Sequence, residues 1–263
     1  MRPDGRCKTI RQQQSRGLVT QDDSIVTAAL LVIGDEILSG RTKDKNIGTI
    51  AEHLTAIGIR LCEVRVVPDV ESEIVDAANA LRQRYTYLFT TGGIGPTHDD
   101  ITADAIAKAF GVGIDVDPRA LALLKPHYDK RGMELTAPRL RMARIPDGAE
   151  LIANSVSIAP GFMIGNVIVM AGVPLVMQAM LTDVTTRLRT GSKMYSLSLG
   201  LDRPEGDIAE IFAAHQAEWP DVSMGSYPSF GDGRFRTELV LRATNEVRLI
   251  ESMQQLKLKL SIS

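Results

Sequence analysis

The sequence predicts a doubly wound α/β fold followed by a small α+β unit. Apolar segments of strand length alternate three times with segments of helical spacing between residues 28 and 110. The connections between them are short, which favours right-handed crossovers and a parallel sheet. A glycine-rich loop follows the third predicted strand, and ligands of such sheets bind beyond the carboxyl ends of the strands. We therefore expect a ligand site at the edge where these strands end.

The hydrophobic pattern predicts the elements in order along the chain. Residues 28–33 form a nearly continuous apolar run, which is typical of a strand buried in a parallel sheet. The predicted elements that follow are a helix over 47–57, a strand over 59–67, a helix over 74–81, a strand over 87–89 and helices over 103–110, 118–131 and 138–143. A tight hairpin turn at 164–167 and an apolar helix that runs to about residue 188 complete the large unit.

A boundary is predicted where Thr190, Gly191 and Ser192 follow this helix. The pattern beyond it predicts a strand over 194–199, a helix over 205–215, strands over 222–227 and 235–241, and a helix over 246–258. We therefore divide the chain into a leader (1–27), a large α/β domain (28–190) and a small α+β domain (191–263). The leader is basic and lacks the apolar block of a secretory signal, so it is predicted to be a flexible extension, with an organellar transit peptide as the alternative.

Composition excludes several classes of protein. The 263 residues are 44% hydrophobic and 24% charged, as in globular proteins, and the formal net charge is −2. This charge gives no general attraction to nucleic acid, and Lys257 and Lys259 are more typical of a solvated helix face than of an RNA site, so a nucleic-acid partner is not expected. Apolar runs fall far short of the roughly 20 residues of a membrane span. Two cysteines make neither a disulfide framework nor a zinc cluster, so a cytoplasmic location is expected.

The loop over residues 90–102, TTGGIGPTHDDIT, carries the clearest chemical signal. Glycines at the start of a helix let backbone N–H groups face a ligand, and the helix end adds partial positive charge, so a phosphate is the expected guest. Asp99 and Asp100 would repel that phosphate unless a divalent cation such as Mg²⁺ lay between them. The alternative is that Asp100 only caps the helix. The glycine spacing matches neither a Walker sequence nor a dinucleotide fingerprint.

Two further acidic loops leave predicted strands of the same sheet. Gly34, Asp35 and Glu36 follow the first strand, and Asp69 follows the second. If the strands are parallel, these acids and the glycine loop converge on one edge. The simpler alternatives are that residues 34–36 only form a turn and that Asp69 only caps the next helix.

These loops together resemble the MoaB/Mog molybdopterin-binding family. The likeness rests on residues 91–102 and 34–37, on Ala159-Pro160-Gly161 and on Gly172-Val173-Pro174, and it spans residues 28–188. Within the family it is strongest to the N-terminal part of the competence/damage-inducible protein CinA and to the molybdopterin-binding-like domain of FAD synthases. Residues 225–228 resemble the small domain that follows in those proteins. The resemblance implies a three-layer α/β/α fold and a homo-oligomer, either dimer or trimer.

The same resemblance implies a ligand in which a phosphate or pyrophosphate is joined to a pterin or an adenosine. It favours metal-dependent hydrolysis of a nucleotide pyrophosphate bond, with ADP-ribose or FAD as substrate. Two alternatives stay open: adenylylation of molybdopterin in molybdenum cofactor biosynthesis, and a binding module without catalysis. All three require a small-molecule partner, and the two reactions require a divalent metal.

Site residues follow from the resemblance position by position. Asp69 and Asp100 are predicted to be catalytic and to hold the metal, together with Asp99. The predicted ligand and phosphate contacts are Gly34, Asp35, Glu36, Thr91, Gly92, Gly93, Gly95, Thr97, Asn154, Pro160, Gly161, Gly172 and Pro174. Asp35 and Glu36 are expected to contact the metal, a ribose hydroxyl or the pterin edge. Family members often have a Glu after Pro-Gly-Pro-Pro, whereas this chain has Leu175 there, so any role of that Glu is missing.

Overall fold

A computed structural model describes residues 25–231 and 233–262. Its first half contains β1 (Val26–Ile33), α1 (Asp35–Leu38), α2 (Asn46–Ala56), β2 (Ile59–Val67), α3 (Glu71–Arg84), β3 (Tyr87–Thr91), α4 (Thr102–Phe110), β4 (Ile114–Val116), α5 (Pro118–Lys130) and α6 (Ala137–Arg141). Its second half contains β5 (Arg144–Pro146), β6 (Glu150–Ile152), β7 (Gly161–Ile164), β8 (Val167–Met170), α7 (Pro174–Thr185), β9 (Tyr195–Leu201), a 3-10 turn (Glu205–Asp207), α8 (Ala209–Glu218), β10 (Ser223–Gly231), β11 (Arg234–Ala243) and α9 (Glu246–Lys259). The predicted leader lies almost wholly outside the described residues.

A six-stranded sheet in the order β2-β1-β3-β8-β7-β6 forms the centre of the large unit. β1 pairs in parallel with β2 and β3, and β3 pairs in parallel with β8. β7 and β6 are antiparallel additions at one edge, and the predicted hairpin turn joins β7 to β8. The prediction of a mostly parallel α/β sheet is confirmed.

Helices cover both faces of this sheet, which gives three layers. Side chains of α3, α4 and α5 pack on one face, and side chains of α2 and α7 pack on the other. Alternate residues of β1 enter the two cores: Leu31 faces the first and Leu30 the second. Both are fully buried. This double burial is the physical reason for the continuous apolar run in the sequence.

The sheet order places a topological switch point between β1 and β3. The chain leaves β1 toward α2 on one face, and it leaves β3 toward α4 on the opposite face. The two outgoing connections therefore diverge and open a crevice at the carboxyl ends of these strands, where ligands of doubly wound sheets bind.

The small C-terminal unit is an antiparallel sheet in the order β10-β11-β9 with α8 and α9. Its core is separate and includes Trp219, Leu239 and Leu256. The predicted single helix over 205–215 is wrong in detail, because the chain forms a 3-10 turn and starts α8 only after Ile208, whose buried side chain is anchored in this core at a φ of −119°. The predicted α+β class is confirmed.

Some short elements of the structure could not be predicted from the sequence pattern. The one-turn helix α1, the small β4–β5 pair and the strand β6 are too short to give a hydrophobic period. No helix in the described ranges is long and apolar enough to cross a membrane. The domain boundary at residues 190 and 191 stays a prediction.

Candidate functional site

Gly92 is the point at which three strand ends meet. Its N–H donates to the carbonyl of Met170 at the end of β8, at 3.2 Å. Its φ is 104°, and a Cβ built on it would lie 2.1 Å from the carbonyl oxygen of Ile33 at the end of β1. Gly172 packs beside it less tightly, because a Cβ there would lie 3.3 Å from the Cα of Gly92. Only glycine fits at position 92.

Thr102, the first residue of α4, ties the glycine loop to its helix. Its N–H donates to the carbonyl of Gly93 and its hydroxyl donates to the carbonyl of Gly92, both at 3.0 Å. Thr102 is fully buried. Gly93 has a φ of 65°, and a Cβ on it would lie 2.2 Å from the Thr102 hydroxyl oxygen. The start of the loop is therefore fixed by packing and hydrogen bonds.

The carboxylate of Asp69 links the ends of β1 and β2. Its Oδ2 accepts the N–H of Asp35 at 2.9 Å. Helix α3 begins at Glu71, and no side chain caps its N-terminus, so the alternative that Asp69 serves as a helix cap is wrong. Asp69 instead holds the loop after β1 in place.

Several acids lie around Asp69. Partial burial raises the pKa of its carboxyl above the ordinary value, and the hydrogen bond from Asp35 opposes that shift. The negative charges of Asp35, Glu36 and Asp99 raise this pKa further. The structure therefore brings the acids of all three predicted loops to one edge of the sheet.

Asp100 has different neighbours. Its Oδ2 accepts the N–H of Thr97 at 2.7 Å and the hydroxyl of Thr97 at 2.5 Å. A Cβ on Gly95 would lie 2.6 Å from the same oxygen. The N-cap position of α4 is Ile101 and carries no side-chain cap, so Asp100 closes its own loop and does not cap the helix. Its catalytic role stays a prediction.

The predicted metal ligands do not make a complete coordination shell among the described residues. The described residues contain no group of three or more His, Cys, Asp or Glu side chains arranged to hold a metal ion. Mg²⁺ in phosphate-binding sites often takes one or two carboxylates and completes its shell with ligand phosphates and water. Carboxylate oxygens are the ligands that Mg²⁺ prefers, so the acids around Asp69 would suit a cation whose shell is completed by ligand phosphates and water.

A cleft of about 590 Å³, open to solvent, occupies the switch point between β1 and β3. We call it the first cleft. Five of the predicted ligand contacts line it: Glu36, Thr91, Gly92, Gly172 and Pro174.

Sequence reasoning missed the segment that forms the outer wall of the first cleft, residues Thr42, Lys43, Asp44, Lys45 and Asn46. Asp44 Oδ1 accepts the N–H groups of Asn46 and Ile47, at 3.0 and 2.7 Å, and so starts α2. The signal that could have found it is an Asp and an Asn two residues apart at the start of a predicted helix.

Two polar atoms of the first cleft have no hydrogen-bond partner. Asn46 is buried, and its Nδ2 donates to the carbonyl of Gly172 at 2.8 Å, but its Oδ1 is unpaired. The hydroxyl of Thr91 is likewise buried and unpaired. Buried polar groups without partners are costly, and both atoms belong to residues that line the first cleft.

Other predicted contacts have structural partners. Both ends of the Asn154 amide are engaged inside its own loop, with Ser157, Val156 and the carbonyl of Ala159. Gly161 sits where a Cβ would lie 2.4 Å from the carbonyl of Val169. Neither lines the first cleft, and their ligand roles stay predictions. The imidazole of His98 is almost fully exposed, at 98% of its side chain.

Comparison with known proteins follows the same division of the chain. The model of the family described as "probable molybdopterin binding domain" matches residues 29–190. The family described as "FAD synthase, middle domain" matches residues 193–263.

Related proteins and structures include members described as CinA. A protein of Pyrobaculum arsenaticum is 35% identical over 76% of this chain and 79% of its own length. A CinA-like protein of Desulfosudis oleivorans is 35% identical over 75% of this chain, which spans only 51% of that relative. The structure of the protein CinA from Thermoplasma acidophilum, of unknown function, is 36% identical and superposes with a TM-score of 0.57, over 62% of this chain and 99% of that one. The resemblance predicted from the loops is confirmed. The chain belongs to the family of molybdopterin-binding domains.

Proposed function

We propose that the chain hydrolyses the pyrophosphate bond of an ADP-linked nucleotide, such as ADP-ribose or FAD, with a divalent cation. The observation that carries the proposal is the acidic cluster around Asp69, which adjoins a glycine loop at the N-terminus of α4. Carboxylates beside a phosphate site are electrostatically unfavourable unless a cation lies between them.

Each group of residues would have its own role in the proposed hydrolysis. Asp69, positioned by the N–H of Asp35, would hold the cation, with Asp99 near it. The cation would neutralise charge on the phosphate oxygens, which is the main requirement of an attack at phosphorus. The N-terminal end of α4 would add partial positive charge beside Gly93 and Gly95. Asn46 Oδ1 and the hydroxyl of Thr91 would hydrogen-bond the polar edge of the ring system.

The first test is a mass-spectrometric search for products after incubation with ADP-ribose, FAD, or molybdopterin plus ATP. Each mixture is run with Mg²⁺, Mn²⁺ or Co²⁺ and with EDTA. We expect release of AMP from ADP-ribose or FAD that EDTA abolishes and that Asp69→Asn lowers at least about a hundredfold, since each 1.4 kcal/mol lost from the transition state is tenfold in rate. Glu73→Gln, an exposed acid on α3, is the matched control and should keep wild-type turnover.

The same experiment separates the alternatives. Detection of adenylylated molybdopterin, with no AMP released from ADP-ribose or FAD, would favour the transferase over the hydrolase. Full activity of Asp69→Asn would refute the role given to Asp69. Asp100→Asn measures whether the carboxylate bonded to Thr97 takes part in the reaction or only shapes the loop.

A second candidate is a binding module for a pterin or nucleotide without catalysis. The observation in its favour is that Asp100, the other predicted catalytic acid, already accepts both donors of Thr97. This candidate predicts tight binding of an unchanged ligand, with no product in any mixture and no strong effect of EDTA.

A further inference from the structure

Strand β9 forms an edge of the C-terminal sheet that has no protection against pairing with another strand. Edge strands expose unpaired N–H and C=O groups, and proteins usually guard them with charged side chains, a proline or a very short strand. The seven residues of β9, Tyr195–Leu201, include neither a charge nor a proline. Among the described residues, β9 pairs only with β11, so its outer edge is open.

The other edge strands of the two larger sheets each have such a protection. β2 carries the charged residues Arg60, Glu63 and Arg65 along its length. β10 contains Pro228, which has no N–H to offer to a further strand. β6 is only three residues long. This contrast distinguishes β9 from the edges that are built to stay unpaired.

The inner face of β9 is incompletely covered. Leu197 and Leu199 pack against the C-terminal core but are only half-buried, whereas Leu239 and Leu241 on the neighbouring β11 are fully buried. Helix α9 packs on both strands, so the difference follows from the position of β9 at the edge. A further strand beside β9 would remove this apolar surface from water, which is favourable.

Helix α9 has an exposed apolar flank on the same side of the C-terminal unit. Its opposite flank faces α8, since Ser252 hydrogen-bonds the buried His215, and α8 lies toward β10. Val247 and Ile250 project about 140–160° away from Ser252, at about 100° per residue of helix. They are 65% and 42% exposed. The flank that they form therefore lies above the open edge of β9.

We propose that β9 pairs with β9 of a second copy of this chain, antiparallel about a two-fold axis at Ser198. Side chains alternate between the two faces of a strand, so the inner faces of two copies match only if a residue lies on the axis. Ser198 is the central residue of β9, and this register pairs all seven residues. Leu197 would then face Leu199 of the second copy on the inner side, and Ser196 would face Gly200 on the outer side.

This pairing joins the two three-stranded sheets into one of six strands and brings the apolar flanks of the two α9 helices side by side. No like charges meet within the paired strands, because β9 carries none. The occupant is therefore a second copy, since the edge is complementary to itself in sequence. The inference is independent of the proposed hydrolysis.

Cysteine cross-linking tests the position of the axis. Both native cysteines are replaced (Cys7→Ser, Cys62→Ser), and Ser198→Cys or Ser196→Cys is added to the full chain. Residues directly opposite in an antiparallel pair have Cα atoms about 4.5–5.5 Å apart, which suits a disulfide. The two copies of residue 196 would lie about 14 Å apart, since each faces residue 200. We expect oxidation by copper–phenanthroline to convert Ser198→Cys into a covalent dimer and to leave Ser196→Cys without one.

Charge substitutions test the same axis without oxidation. Ser198→Lys and Ser198→Asp each place two like charges opposite one another, whereas an equimolar mixture pairs Lys with Asp. Ser229→Lys adds the same charge to the exposed face of β10 and is the matched control. Sedimentation velocity between about 1 and 100 µM should show that wild type and Ser229→Lys associate alike, that each Ser198 variant associates at least about tenfold more weakly, and that the mixture recovers.

Three results would overturn the pairing: no covalent dimer of Ser198→Cys, equal cross-linking of Ser196→Cys, or association of Ser198→Lys equal to that of wild type. Circular dichroism shows whether each variant folds, and if Ser198→Lys does not, the cross-linking of Ser198→Cys decides the matter. Absence of AMP release in the separate activity assay would refute the hydrolase and leave the pairing standing.

Discussion

The carboxylate of Asp69 is partly buried among other negative charges, which makes its ionised form unfavourable. Its loop position and its acidity could be seen in the sequence, but its real partner, the N–H of Asp35, could not. Contacts between residues 34 positions apart depend on how two strands are placed side by side. Asp100 shows the reverse: its bond to Thr97 is local, yet the helix cap that its position allowed as an alternative is not formed.

Replacement of Asp69 by Asn should stabilise the metal-free protein at neutral pH. The pKa of Asp69 is raised in the folded chain, chiefly by burial, so the neutral form is favoured there. The stability that it contributes is full below its unfolded pKa and is lost as pH rises through the folded value. Asn stays neutral and can still accept the N–H of Asp35.

Thermal unfolding from pH 4 to 8 in EDTA measures this effect. We expect the melting temperature of Asp69→Asn to exceed that of wild type at pH 7 and to converge with it toward pH 4. Addition of Mg²⁺ should stabilise wild type more than the variant. A variant less stable than wild type at every pH would contradict the account, and Glu73→Gln should behave as wild type throughout.

Replacement of Gly92, where the strand ends meet, should destabilise the protein more than replacement of an unconfined glycine. Gly92→Ala combines an unfavourable φ of 104° with a Cβ placed 2.1 Å from backbone. Gly111, the C-terminal cap of α4, has a φ of 67° with open space around it, so Gly111→Ala measures the cost of the conformation alone. We expect about 1 kcal/mol for Gly111→Ala and on the order of 3 kcal/mol or more for Gly92→Ala.

Denaturant unfolding of both variants gives these values. Equal losses would show that the chain relaxes around residue 92 and that the close approach to Ile33 is not rigid.

Elements of sufficient length were predictable because their burial leaves a period in the sequence. β1 is buried on both faces and α4 on one, and both could be recognised from their apolar residues. The outer wall of the first cleft was not found, since Asn46 is a buried polar residue whose partner, Gly172, lies 126 positions away. Hydrophobic periodicity says nothing about such polar contacts.

Two separate cores make the whole molecule a combination of two folding units. The only tryptophan of the chain, Trp219, lies in the C-terminal core beside the buried ring of His215, with ring centroids 6.0 Å apart. Its fluorescence therefore reports on the C-terminal unit alone. The order of the two units along the chain was readable from the sequence, whereas the separation of their cores required the packing to be known.

Acid should weaken the C-terminal unit. Burial lowers the pKa of His215, as does the positive charge of Lys259, while a hydrogen bond with Ser252 and the charge of Glu218 oppose the shift. Because the folded pKa is depressed, stability is full above the unfolded value near 6.5 and is lost as pH falls through the folded value. The carboxyls of Glu218 and Asp221, whose pKa values are lowered by hydrogen bonds from Lys259 and Arg248, contribute at lower pH.

Urea unfolding followed by Trp219 fluorescence at pH 7 and pH 5 tests this expectation. The midpoint should fall at pH 5, and His215→Gln should remove most of that dependence. An unchanged midpoint in wild type would show that His215 stays neutral across this range.

The wedging of Gly92 between Ile33 and Met170 also bears on the thermodynamics of association. The base of the loop is already ordered in the folded chain, and its exposed tip is closed by the hydrogen bonds between Thr97 and Asp100. Proteins that must order their binding groups lose part of the interaction free energy to that step. An anion that meets this loop finds its anchor preformed, so little of the interaction free energy is lost to ordering the loop.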